Sequence, residues 1–110
     1  MHLDALQLNE LKEVLEGEFK VLVETYLQDA RLRLQLIRQA FQANDSNAGR
    51  QAAHSLKGAS ANLGANDLTA LCEKLEIAAK SGGLADCEAL IEAVEAEFSI
   101  VDCELRKLVD

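Results

Sequence analysis

At 110 residues, with 49% apolar and 27% charged side chains, the chain is long enough to close one hydrophobic core and too short for two, so a single domain over residues 1–110 is expected. No apolar run nears the roughly 18 residues that a bilayer crossing needs, and no basic start leads into an apolar stretch and cleavage site, which implies a cytoplasmic protein with no membrane partner. A net charge of −8 argues against nucleic acid, because affinity for a polyanion is drawn from Lys and Arg.

Proline is absent and aromatics make up 4% of the chain, while Ala, Leu, Glu and Gln dominate, a vocabulary that favours helices over strands. The first amphipathic segment carries Leu8, Leu11, Val14 and Leu15 on one side before Gly17 interrupts it, which predicts a short lid helix from Leu8 to Glu16. From about Glu18 to Asn44, Phe19, Val23, Tyr26, Ala30, Ile37 and Phe41 recur at helical steps and predict a long second helix. Asn44-Asp45-Ser46-Asn47 then offers turn chemistry, with Asp45 or Ser46 able to cap a third helix. On that helix Ala52, Leu56, Ala59 and Leu63 form the core stripe. A fourth, capped by Asn66 or Asp67, runs Leu68, Leu71, Cys72, Leu75, Ala78 and Ala79 along one face and stops at Gly82-Gly83. The last begins near Ala85 and repeats Cys87, Leu90, Ile91, Val94, Phe98, Val101, Leu105 and Leu108. Four such helices joined by short loops predict an all-α fold, an antiparallel four-helix bundle with a short N-terminal lid helix.

The three cysteines, Cys72, Cys87 and Cys103, are widely spaced, with no CxxC pair and no histidine close enough in sequence to complete a zinc site. Reduced thiols and no metal are expected.

The third helix holds Ala52-Ala53-His54-Ser55-Leu56-Lys57-Gly58-Ala59-Ser60-Ala61-Asn62-Leu63-Gly64. Advancing about 100° per residue, His54 points away from the core stripe, so it stands on the solvent side. Around it lie Arg50 and Gln51 one turn behind, Lys57 and Gly58 one turn ahead and Ala61 two turns ahead. An imidazole in water titrates near about 6.5 and at neutral pH carries one free lone pair that can attack an electrophile. Glycine in mid-helix costs about 1 kcal/mol against alanine, and at 58 it leaves bare surface where a partner could approach. Lys57, and Arg50 behind the ring, bring positive charge to where a phosphoryl group on His54 would sit. Exposed histidines and lysines are also common on helices without any function, and this geometry alone leaves both readings open.

His54 to Gly64 resembles the signature of histidine-containing phosphotransfer (HPt) domains of bacterial phosphorelays: the histidine, Leu56, Lys57, Gly58, a small residue at 60, Leu63 and Gly64 stand in register. The segments Phe19–Phe41 and Leu68–Gly82 resemble that family's second and fourth helices, so nearly the whole chain is covered. The resemblance implies that His54 is phosphorylated, that Lys57 supports the charge, and that Gly58 gives clearance to a docking receiver domain, with Gln51 and Ala61 on the same face. It implies a phosphocarrier that accepts phosphoryl from an aspartyl phosphate on the receiver of a hybrid sensor kinase and passes it to a response-regulator aspartate. Such a carrier acts as a monomer with no cofactor of its own, the Mg²⁺ coming from the partner receiver. No Gly-rich phosphate loop or nucleotide-binding box accompanies the histidine, so ATP-dependent kinase activity is not expected.

Two other classes of function compete with this reading. A helical binding module for a receiver or kinase partner, independent of phosphorylation, would keep the face without the chemistry. A small-molecule hydrolase or transferase needs a base, orienter or metal beside the nucleophile, and no carboxylate or cysteine lies within one turn of His54. Glu73 and Glu76 on the following helix could come near, but helical spacing does not place them.

Overall fold

The periodicities become five α-helices in a computed structural model describing residues 2–109: α1 (Ala5–Leu15), α2 (Phe19–Gln42), α3 (Ser46–Asn62), α4 (Asn66–Gly82) and α5 (Glu88–Val109). Single 3-10 turns at Glu16–Glu18 and Leu84–Asp86 lead into α2 and α5. No strand occurs among the described residues. Helices α2 to α5 form the antiparallel bundle: each packs on the next and α5 closes against α2, while α1 lies over one end.

The core is built from the expected stripes. Val23, Ala30 and Ile37 of α2, Ala53 and Leu56 of α3, Leu68, Cys72 and Leu75 of α4, and Ile91, Val94, Val101 and Leu105 of α5 are fully buried. Each large member contributes about 1.5–3 kcal/mol through removal of apolar surface from water. One polar link crosses this core: the Tyr26 hydroxyl and Ser60 Oγ share a 2.8 Å hydrogen bond. Burial pushes the Tyr26 phenol up to about 12, so it stays protonated, and the pair ties α2 to α3 with both hydroxyls satisfied.

Loop chemistry sets the register of α3. Asp45 caps it, accepting from the Ala48 amide at 3.1 Å. Ser46, the other cap candidate, instead accepts from the Leu84 amide at 2.9 Å. Leu84 is wholly buried against Gly49, where an added Cβ would come within 2.7 Å of a Leu84 methyl. The α4–α5 connection is thereby pinned to the first turn of α3. At the other end Gly64 adopts φ +71°, open to glycine without strain, and its carbonyl accepts from the Asp4 amide at 2.8 Å.

Several sequence-based expectations are corrected. The lid helix runs Ala5–Leu15, capped by Asp4, and Val14 is 79% exposed because no element faces it. Helix α4 has Ala65 at its N-cap, without a side-chain cap bond; the Gly64 turn sets the helix start, so Asn66 and Asp67 already lie inside it. Helix α5 starts at Glu88 because Leu84–Asp86 spend a separate 3-10 turn inserting Leu84. Leu108, in its last turn, is 43% exposed.

Candidate functional site

Helix α3 buries Ala53, Leu56 and Ser60 and therefore turns His54 outward, where its side chain is 66% exposed. The neighbouring helix then supplies what α3 lacks. Glu76 of α4 reaches the ring, its Oε2 lying 2.9 Å from His54 Nδ1. The same carboxylate meets the Lys57 ammonium, Oε1 to Nζ, at 2.8 Å. One carboxylate thus bridges a lysine and a histidine that α3 places one turn apart.

The charges of this cluster follow from the contacts. The hydrogen bond from Lys57, aided by that from His54, holds the Glu76 carboxyl below the ordinary carboxylate range. The converse contact with Glu76 raises the Lys57 ammonium above its usual value, Glu73 adding a weaker charge effect. Glu76 is therefore ionised at neutral pH and can only accept, so Nδ1 of a neutral His54 carries the proton and donates it. The lone pair is left on Nε2. Lys57 balances the glutamate charge, so an incoming anionic group meets a locally neutral cluster rather than a bare carboxylate.

The ring's surroundings are small and open. Gln51, Gly58 and Ala61 are exposed on the same side of α3, and a Cβ built on Gly58 would meet nothing within 4 Å. Arg50 is not drawn to the imidazole: its guanidinium donates to Asn47 Oδ1 at 2.9 Å, back toward the helix N-terminus. Cys72 is buried beneath this face, and desolvation pushes its thiol up to about 12, which removes it as a nucleophile. Cys72, Cys87 and Cys103 are all free thiols.

Glu76 is the residue that spacing along one helix could not place. The available signal is the hairpin itself: with a short turn around Ala65, residues equally distant from it meet across α3 and α4, and Ala65 lies midway between 54 and 76.

The comparisons with known proteins agree with this layout. The Hpt domain family matches residues 21–109. This chain belongs to the Hpt domain family. Histidine-containing phosphotransfer protein B (HptB) from Pseudomonas aeruginosa PAO1 is 42% identical, with a TM-score of 0.94 over 98% of this chain and 94% of that one. The HPT domain of a sensor hybrid histidine kinase from Shewanella shares the fold at a TM-score of 0.81 and 22% identity, over 98% of this chain and 93% of that one. No curated protein matches the sequence. The Hpt match covers most of α2 and all of α3 to α5, and the likeness to HptB extends over nearly the whole chain. Membership carries a histidine-phosphotransfer role in phosphorelays, that of a carrier rather than a kinase, working with receiver domains and kinases. Among the described residues no helix is long and apolar enough to cross a membrane.

Proposed function

We propose that the whole chain acts as one cytoplasmic, monomeric Hpt domain in which His54 takes a phosphoryl group from a receiver-domain aspartyl phosphate and delivers it to a response-regulator aspartate. The observation that supports this most is the Glu76 contact on Nδ1, which leaves the lone pair of an exposed ring on Nε2. In-line attack by that lone pair forms the N–P bond as the aspartyl O–P bond breaks, its electron pair leaving with the carboxylate oxygen. Nδ1 keeps its proton, so the ring acquires positive charge, which the Glu76 carboxylate offsets while fixing the ring plane. Delivery is the reverse: the accepting aspartate oxygen attacks phosphorus, the N–P bond breaks, and its electron pair returns to Nε2.

Lys57 acts through Glu76 in the resting site and is within one turn of an arriving phosphate. Gln51, Gly58 and Ala61 form the floor on which the receiver docks, Gly58 keeping the approach to Nε2 clear. Arg50 is held by Asn47 and contributes general positive charge only. The Mg²⁺ required by the transfer comes with the receiver, and the carrier needs no cofactor of its own.

The test is incubation with a radiolabelled phospho-receiver. Wild type takes up acid-labile, alkali-stable label; His54→Gln takes up none and keeps its unfolding free energy within about 0.5 kcal/mol, as expected for an exposed site. Label entering His54→Gln would overturn the assignment.

A further inference from the structure

A second histidine–carboxylate cluster lies outside this face. His2, ahead of α1, Asp67 in the first turn of α4 and Glu97 in mid-α5 bring one ligand atom each to within 4.8 Å of one another. His2 Nδ1 is 2.5 Å from Glu97 Oε2 and 3.8 Å from Asp67 Oδ2. Three separate elements supply the three groups.

Glu97 is what makes this more than surface acidity. It is 8% exposed, on the side of α5 that carries Val94, Phe98 and Val101, a position where an apolar residue would be unremarkable. A carboxylate withdrawn from water is expensive unless it is paired. Its partner in the fold is the imidazole of a residue at the very start of the chain, and Asp67 adds a second carboxylate beside that ring. Glu104 also bears on His2 electrostatically. One imidazole thus faces three acidic groups, an imbalance that a divalent cation would correct.

We propose that His2, Asp67 and Glu97 form a binding site for a divalent transition-metal ion, best matched to Zn²⁺. One imidazole nitrogen with two carboxylate oxygens is a ligand set that suits zinc, and a water completes four-coordination on the open side, where His2 and Asp67 are each nearly half exposed. In a tetrahedral zinc site neighbouring ligand atoms stand about 3.3 Å apart. The His2–Glu97 separation would open and the His2–Asp67 separation close by less than about 1 Å each, within reach of side-chain rotation at two partly exposed residues. The site would staple the segment ahead of α1 to α4 and α5. This departs from the metal-free expectation, since the three ligands are spread over the whole chain and no spacing motif announces them.

The experiment is calorimetric titration of the untagged, chelator-stripped full chain with ZnCl₂, repeated on His2→Ala, Asp67→Asn and His54→Gln. The expected result is saturable binding of one ion per chain, unchanged in His54→Gln and weakened at least about tenfold in both His2→Ala and Asp67→Asn, in line with the sensitivity of metal sites to loss of a supporting group. Circular dichroism confirms that each variant remains helical. Absence of saturable binding, binding that survives His2→Ala and Asp67→Asn, or binding lost in His54→Gln would each overturn the proposal.

Discussion

The molecule makes the same contact twice, a histidine Nδ1 against a glutamate Oε2, at His54–Glu76 and at His2–Glu97. In the first, both residues stand on long helices and a lysine takes the second carboxylate oxygen, so the glutamate is neutralised and the ring is held outward. In the second, the ring sits on the segment before α1, the glutamate is buried, and the third group is another acid, Asp67. The lesson is that a histidine–glutamate pair has no fixed meaning: the third charge decides. A cation there makes an oriented nucleophile, and an anion makes a pair of donors waiting for a cation.

The contrast can be sharpened by changing one site and reading both. The largest effect is expected at Gly58. A Cβ there meets nothing, but in Gly58→Leu the longer side chain stands one turn from the ring and should slow transfer from a phospho-receiver about 100-fold, as displacement of roughly 1 Å can do. Phosphoramidate, which need not dock, should be far less affected, and His2→Ala should transfer at the wild-type rate. Equal slowing of both donors would break the docking account of this face.

A smaller effect is expected from Glu76→Gln, which keeps an acceptor for Nδ1 but removes the charge that offsets the phosphorylated ring. Receiver-to-His54 transfer should fall about 10- to 100-fold, the range of a hydrogen bond to a charged group. The smallest effect is on stability. Because the Glu76 carboxyl is held below its ordinary value of 4.5, the stabilisation it contributes is complete above that value and is lost as pH falls through the lower folded-state value. Unfolding midpoints of wild type and Glu76→Gln should therefore differ by a constant amount from pH 8 to about pH 5.5 and converge in more acidic solution. A gap that closes between pH 8 and 6 would mean that a different group controls the cluster.

How far all this was legible depends on the range of the interactions. The bundle could be read because Val23, Ile37, Leu56, Leu75, Ile91 and Val101 obey a local period that burial enforces. His54 could be placed on the solvent side by the same arithmetic. Val14 and Leu108 obey the period too yet are exposed, since a period marks a face and cannot say whether another element covers it. Leu84 escaped because a 3-10 turn has no period, although it fills the space left by Gly49. Glu76 and Glu97 escaped for a shared reason: each is a charged residue whose role comes from a partner on another element, 22 and 95 positions away.

The central claim is that Glu76 on Nδ1 makes Nε2 of His54 the phosphoryl acceptor. Its most direct test is long-range ¹H–¹⁵N NMR of the chain labelled with ¹⁵N-histidine, before and after phosphorylation by a receiver. The account predicts that His54 rests with its proton on Nδ1 and that the phosphorylated product is the Nε2 isomer. A proton on Nε2 in the resting protein, or phosphorus attached to Nδ1 in the product, would contradict it.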